Sequence, residues 1–196
     1  LTGIGAVYEA QSRYQEALET YEQVLDIRRK VDDWDGEGQI LNKIGLTYQA
    51  LGRYRESMEY FQQALAIWQE NGDRADEATA LNNIGVTYHK LGQYKGALDY
   101  YQQALAIARE IGDRAGEGTT LDNLGEVYRA LGQYEQALGY YRQALTIGRE
   151  TGDRAVEGAT LTGIGAVHDD LGQYEQAMDY YQQALAILQE IDDRVG

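Results

Sequence analysis

The sequence predicts an all-α fold, an α-solenoid of stacked helix pairs. Three observations lead there. The chain repeats every 40 residues: Leu1, Leu41, Leu81, Leu121 and Leu161 align, as do Gly5, Gly45, Gly85, Gly125 and Gly165, and Tyr14, Tyr54, Tyr94, Tyr134 and Tyr174. A fixed period in this range marks supersecondary units that stack on one another. Within a unit the apolar residues recur at helical spacing. Asp and Gly recur where one helix must end and the next begin.

The unit from Asp73 to Gly112 shows each element in order. Asp73 is an N-cap, with Asp76 and Glu77 in the first turn, where acids are favoured. Helix A follows, with Leu81, Ile84 and Tyr88 on its apolar side. Gly92 is the left-handed residue that closes it. Helix B turns Tyr94, Ala97, Leu98, Tyr101, Ala104, Leu105 and Ala108 inward. Gly112 ends helix B, and Asp113 caps the next unit. Neither helix buries its stripe alone, so neighbouring units must stack.

Five units result, at about 1–32, 33–72, 73–112, 113–152 and 153–196, forming one array over 1–196 with the first unit truncated at its start. The opening LTGIGAV returns at Leu161–Val167. Its Gly-x-Gly lies inside helix A with no strand before it, which rules out a phosphate-cradling loop. Gly5 and Gly165 are read as small residues at a close helix approach. Gly3 and Gly163 replace Asn83 and Asn123 and are expected to leave their surroundings with less to hold. Helix B of the last unit is expected to end at Ile191. DDRVG then reads as the start of another unit, and the chain as a segment of a longer protein.

Net charge is −15. A phosphate backbone or an anionic lipid surface would be repelled, so no nucleic acid and no membrane partner is expected. Apolar runs fall short of a membrane span. Cys is absent, which fits a reducing, cytoplasmic setting. The same absence removes the thiol nucleophile, and Ser12 and Ser57 are the only serines. Ser57 takes a small packing position on helix B and is expected to be buried. His89 and His168 lie 79 residues apart. Adjacent residues in His168–Asp169–Asp170 point in different directions on a helix, so no metal site is read there. No enzyme and no cofactor is predicted.

Leu81, Ile84, Gly85 and Tyr88 of helix A, with Ala97, Tyr101 and Ala104 of helix B, resemble the tetratricopeptide repeat signature, with Leu in its Trp place and Tyr in its Phe place. The signature's Pro is absent, and the phrase GDRA-x-E-G is similar to the long-repeat subgroup of Pins-type adaptors and bacterial multidomain proteins. The resemblance implies a right-handed superhelix whose A helices line a concave groove. The groove residues are then Asn42, Leu46 and Gln49; Thr79, Asn82, Asn83, Val86 and His89; and Thr119, Asp122, Asn123, Glu126 and Arg129. This stripe is where the copies differ most. The family's carboxylate clamp and its Arg grip on acidic ligands are both unmatched here. The resemblance implies a protein-interaction scaffold for a peptide or partner protein. Basic residues of that ligand would face Asp122, Glu126, Asp169 and Asp170. The alternatives are a structural spacer, a head-to-tail homo-oligomer formed through uncapped ends, or an engineered repeat. Helix-interior Gly96 and Gly139 argue against the last.

Overall fold

The computed structural model describes the backbone of residues 2–195 and the side chains of residues 2–191. Among the described residues there are ten helices and no strand. They are α1 (Thr2–Ala10), α2 (Tyr14–Lys30), α3 (Trp34–Ala50), α4 (Tyr54–Asn71), α5 (Arg74–Lys90), α6 (Tyr94–Ile111), α7 (Arg114–Ala130), α8 (Tyr134–Thr151), α9 (Arg154–Asp170) and α10 (Tyr174–Val195). Odd-numbered helices are the A helices and even-numbered ones the B helices. The chain forms two compact units, residues 1–100 and 101–196, divided within α6. No described helix is long and apolar enough to cross a membrane.

The helix boundaries follow the sequence signals. Asp33, Asp73, Asp113 and Asp153 accept from the N–H groups of Gly36, Asp76, Gly116 and Val156 at 3.0–3.2 Å. Each cap satisfies a donor that the first turn would leave unpaired. Gly92 and Gly112 adopt φ of 70° and 72°, the left-handed conformation that closes a helix without a Cβ clash. Near the N-terminus Ser12 and Asp32 hold that conformation without glycine. At the other end α10 runs on to Val195 rather than stopping at Ile191. Asp192 stands where Gly72, Gly112 and Gly152 stand in earlier copies, so the helix has no stop there. DDRVG therefore continues the B helix as far as Val195, and Gly196 lies outside the described residues.

Packing within each unit rests on one repeated contact, an aromatic ring of the B helix against a glycine of its A helix. In the first unit Tyr21 lies on Gly5 and Phe61 on Gly45. In the second, Tyr141 lies on Gly125 and Tyr181 on Gly165. A Cβ added at those glycines would stand only 2.4–2.7 Å from the ring. Trp68, the largest buried side chain, uses Gly38 in the same way. Gly96, an apparent irregularity on a helix surface, lies against the Tyr88 ring. Ser57 is fully buried, as expected. Four of the five A–B pairs also stack a second ring couple: Tyr48 on Tyr60, Tyr88 on Tyr100, Tyr128 on Tyr140 and His168 on Tyr180.

A second device comes from the GDRA-x-E-G phrase. Glu77, Glu117 and Glu157 are nearly fully buried. Glu117 accepts from Arg109 of the preceding B helix at 2.8 Å and from Arg114 of its own turn. Arg114 also reaches Glu150 of α8 at 2.6 Å. Arg149, Arg154 and Glu190 repeat this arrangement around Glu157. Burial pushes the Glu117 carboxyl up, but the hydrogen bonds from Arg109 and Arg114 outweigh it and hold the group below its usual range.

Gly45→Ala should destabilise by about 1–3 kcal/mol through overpacking against Phe61. Gly139→Ala, where a Cβ meets nothing within 4 Å, should stabilise by about 0.5–1 kcal/mol. Paired denaturant melts measure both. Glu117→Gln should cost about 1–3 kcal/mol at pH 7. Because the native pKa is lowered, the contribution is complete above the usual glutamate range near pH ~4.3. It should fade as the pH falls through the native value, which melts of both proteins from neutral to acid pH would reveal.

Candidate functional site

On the A-helix face of the first unit, polar side chains join one A helix to the next. Glu9 of α1 accepts from the Tyr21 hydroxyl at 2.7 Å and from the Thr47 hydroxyl of α3 at 2.5 Å. Asn83 of α5 donates to Asn42 of α3 at 2.9 Å, and Gln49 donates to the Thr87 hydroxyl at 3.0 Å. Leu46 is exposed, and Asn82 and Val86 are half-buried. Thr79 is exposed, and its hydroxyl donates to its own helix at Ala75. The His89 ring tilts against Tyr94.

The second unit builds the same kind of link from charged groups. Thr160 of α9 donates to Asp122 of α7 at 2.7 Å. Glu126 accepts from the Tyr141 hydroxyl at 2.7 Å and from Arg129 at 3.3 Å, and Arg129 reaches Asp170 of α9 at 3.0 Å. The structure therefore brings Asp122, Glu126 and Arg129 into one group with Thr160 and Asp170. Thr119 stays apart, donating to Ala115, and Asn123 is half-buried. Asp170, one of the acids read from sequence as facing a basic ligand, is instead paired with Arg129 and is a full member of the cluster. The links between successive A helices fall at separations of 38 or 41 residues. Comparing polar residues at those offsets would have revealed them.

The reading of Gly163 needs correction. A Cβ there would lie 2.6 Å from the Tyr141 ring and 2.9 Å from its hydroxyl. Gly163 thus makes room for the hydroxyl that binds Glu126. Gly3, in the matching LTGIGAV, has open space around it.

The electrostatics are uneven. Burial pushes the Asp122 carboxyl up to about 6; the Thr160 hydrogen bond opposes that shift, and the Glu126 charge adds to it. Among the described residues Asp122 has no ion-pair partner. Burial works against the Arg129 charge, but Asp170 and Glu126 more than offset it. The Tyr101 ring is fully buried, and among the described residues its hydroxyl has no hydrogen-bond partner. Elsewhere, carboxylate oxygens of Asp35, Asp73 and Asp76 converge within 4.8 Å of one another, a group absent from the sequence reading. Asp73 is a cap, and Asp35 and Asp76 lie in first helical turns, places where acids are favoured without a metal. His168 contacts Gln173 through Nδ1 at 2.6 Å and stacks on Tyr180, while Asp170 turns to Arg129.

Asp122→Asn should keep the bond from Thr160 and remove a half-buried charge. The native pKa of Asp122 is raised, so ionising it destabilises the fold as the pH rises from about 4 to 6. The variant should therefore be more stable than the parent by ~1–3 kcal/mol at pH 7.5. The advantage should vanish near pH ~4, as thermal melts at the two pH values would show.

A family model described as tetratricopeptide repeat matches residues 1–70, 36–110, 76–150 and 116–190. No curated protein sequence matches the chain. Among solved structures, BtubC (BKLC) from P. vanneervenii is similar at 23% identity and a TM-score of 0.80, over 96% of this chain and 78% of that one. Aspartyl phosphate phosphatase F from Bacillus subtilis is similar at 23% identity and a TM-score of 0.86, over 96% and 50%. The Rap conjugation gene regulator of plasmid pLS20, solved with the Phr* peptide, is similar at 21% identity and a TM-score of 0.81, over 96% and 52%. The chain spans about half the length of the latter two. At these identities the likeness is one of fold, an all-α repeat of helix pairs. The chain belongs to the tetratricopeptide repeat family.

Proposed function

We propose that the chain is a protein-interaction scaffold that binds an extended peptide or partner segment on its A-helix face. The bound segment carries Lys or Arg where it meets α7 and α9. The observation that carries this reading is the half-buried Asp122 carboxyl, which among the described residues lacks a cationic partner beside Glu126. A ligand cation there would gain a charge-assisted hydrogen bond in a partly desolvated setting. Leu46 and Val86 add apolar contact in the first unit, with Asn42, Gln49 and Asn82 as polar positions. The peptide complex of the plasmid regulator lends support at the level of fold. The test is a peptide array probed at low and high salt, each basic peptide paired with its Lys/Arg→Gln version. Basic peptides should bind best, weaken with salt, and lose about tenfold affinity to the Asp122→Asn variant. Binding should also fall as the pH drops through about 6, where Asp122 takes up a proton. Equal affinity for basic and neutral peptides would overturn the reading.

A second reading, head-to-tail self-association of this 196-residue chain, has an observation of its own. On α10, Met178, Leu185 and Leu188 are more than half exposed, as is Val7 on α1. Ile4 of α1 is half exposed, whereas its equivalents Ile44, Ile84 and Leu124 are fully buried. The LTGIGAV of α9 already belongs to a helix packed on α8, so α10 of one copy could receive the same segment of another. Such a contact propagates instead of closing. Light scattering over a concentration series should show rising mass that Leu188→Glu abolishes. A strict monomer at every concentration refutes it.

A further inference from the structure

A cavity of about 480 Å³ opens between α8 and α10 over α9, away from the acidic group on α7. Its charged and ring-bearing walls are Arg142 and Arg149 of α8, His168 of α9, and Asp179 and Tyr180 of α10. Arg149 is held by Glu157 at 2.9 Å. Arg142 is exposed, and among the described residues its guanidinium has neither an ion-pair nor a hydrogen-bond partner. The His168 ring lies flat on Tyr180, with centroids 5.3 Å apart and planes 6° apart. Its Nδ1 is taken by Gln173, which leaves Nε2 as the ring nitrogen without an assigned contact.

The repeat supplies an internal control. The positions 120 residues earlier, in the first unit, are Glu22, Arg29, Tyr48, Glu56 and Glu59. Glu22 and Glu59 both act on Tyr60 there, so these carboxylates do gather round the equivalent ring. In the second unit Glu22 becomes Arg142, Glu56 becomes Gln176 and Tyr48 becomes His168, while Arg29 and Glu59 keep their charge as Arg149 and Asp179. Three carboxylates and one guanidinium are thus exchanged for one carboxylate and two guanidiniums. Arg occurs at this place once in five copies, the others being Glu22, Gln62, Gln102 and Gln182. His likewise occurs once, against Tyr8, Tyr48, Tyr88 and Tyr128. Both exceptions fall on one cavity. In a chain of net charge −15, a cavity wall with more guanidiniums than carboxylates, one of the guanidiniums unpaired among the described residues, runs against the general field.

We propose that the α8–α9–α10 cavity is an anion-binding site for a small oxyanion-bearing molecule, a carboxylate or a phosphate, gripped by Arg142 beside His168. Its volume lies in the range of small-molecule pockets, roughly 300–1,000 Å³. The planar guanidinium fork suits either oxyanion. The site is independent of the A-helix face and of the peptide reading.

The test uses the two histidines as reporters, His168 being identified by the His168→Tyr variant. Inorganic phosphate and glutarate are titrated separately at fixed ionic strength, with sodium chloride as control, while imidazole C–H resonances are followed by NMR. Saturable movement of His168 but not His89 is expected with at least one probe, and which probe saturates distinguishes phosphate from carboxylate. Arg142→Gln, which restores the residue of three other copies on an exposed surface, should weaken binding by about fivefold or more with an unchanged circular dichroism spectrum. Shifts that never saturate, that match the chloride control, or that persist with equal affinity in Arg142→Gln overturn the proposal.

Discussion

The contact on which the rest of each unit depends is the ring of a B helix lying on the glycine of its A helix. Glycine costs about 1 kcal/mol in a helix interior, and burying an aromatic ring returns roughly 1.5–3 kcal/mol, so the pairing is favourable only if the ring goes fully home. Tyr21, Phe61 and Tyr141 do. The contact also fixes where the far end of the ring emerges. In Tyr21 and Tyr141 that end is a hydroxyl, and each meets a carboxylate of an A helix, Glu9 or Glu126. In Phe61 there is no hydroxyl, and the equivalent of Glu126 on α3 is Leu46. A core contact thus sets the chemistry of the face behind which it lies.

The charges are organised by the same economy of position. The buried glutamates Glu117 and Glu157 each hold two arginines, and those arginines tie consecutive helices. At Trp34 the arginine of the phrase is missing, and Glu37 keeps Arg29 alone. The ion clusters are therefore part of how one repeat is fastened to the next. Each guanidinium stays partly in water, which limits the desolvation that makes a buried ion pair expensive.

The period, the caps, the left-handed glycines and the small buried Ser57 were all legible in the sequence, because each depends on backbone geometry or on one residue's size. The buried Glu117, the role of Gly163 and the pairing of Arg129 with Asp170 were not. A 40-residue period says which positions are equivalent, but it is silent on which neighbours meet. The meetings between successive A helices occur two residues short of the period or one beyond it, because adjacent A helices are staggered where they pack. Gly163 misled for a related reason. A missing side chain reads as lost contact, when here the space belongs to a tyrosine from α8. The end of α10 was misjudged because DDRVG was read as the start of another unit, although Asp192 stands where a glycine releases the helix in earlier copies.

Asp122 is where stability and recognition pull apart. The corresponding residues of the second and third copies are Asn42 and Asn82. An amide at this place can accept the hydrogen bond that Thr160 gives to Asp122, with no charge to desolvate. Keeping a carboxyl there, beside Glu126 and with no cation of its own, works against the fold at neutral pH. A carboxyl held by one hydroxyl, with no cation beside it among the described residues, breaks a local rule that its counterparts Asn42 and Asn82 obey, and this is why it supports the proposed binding position. Under the proposed peptide binding, the compensating charge would come from the ligand at the α7–α9 face.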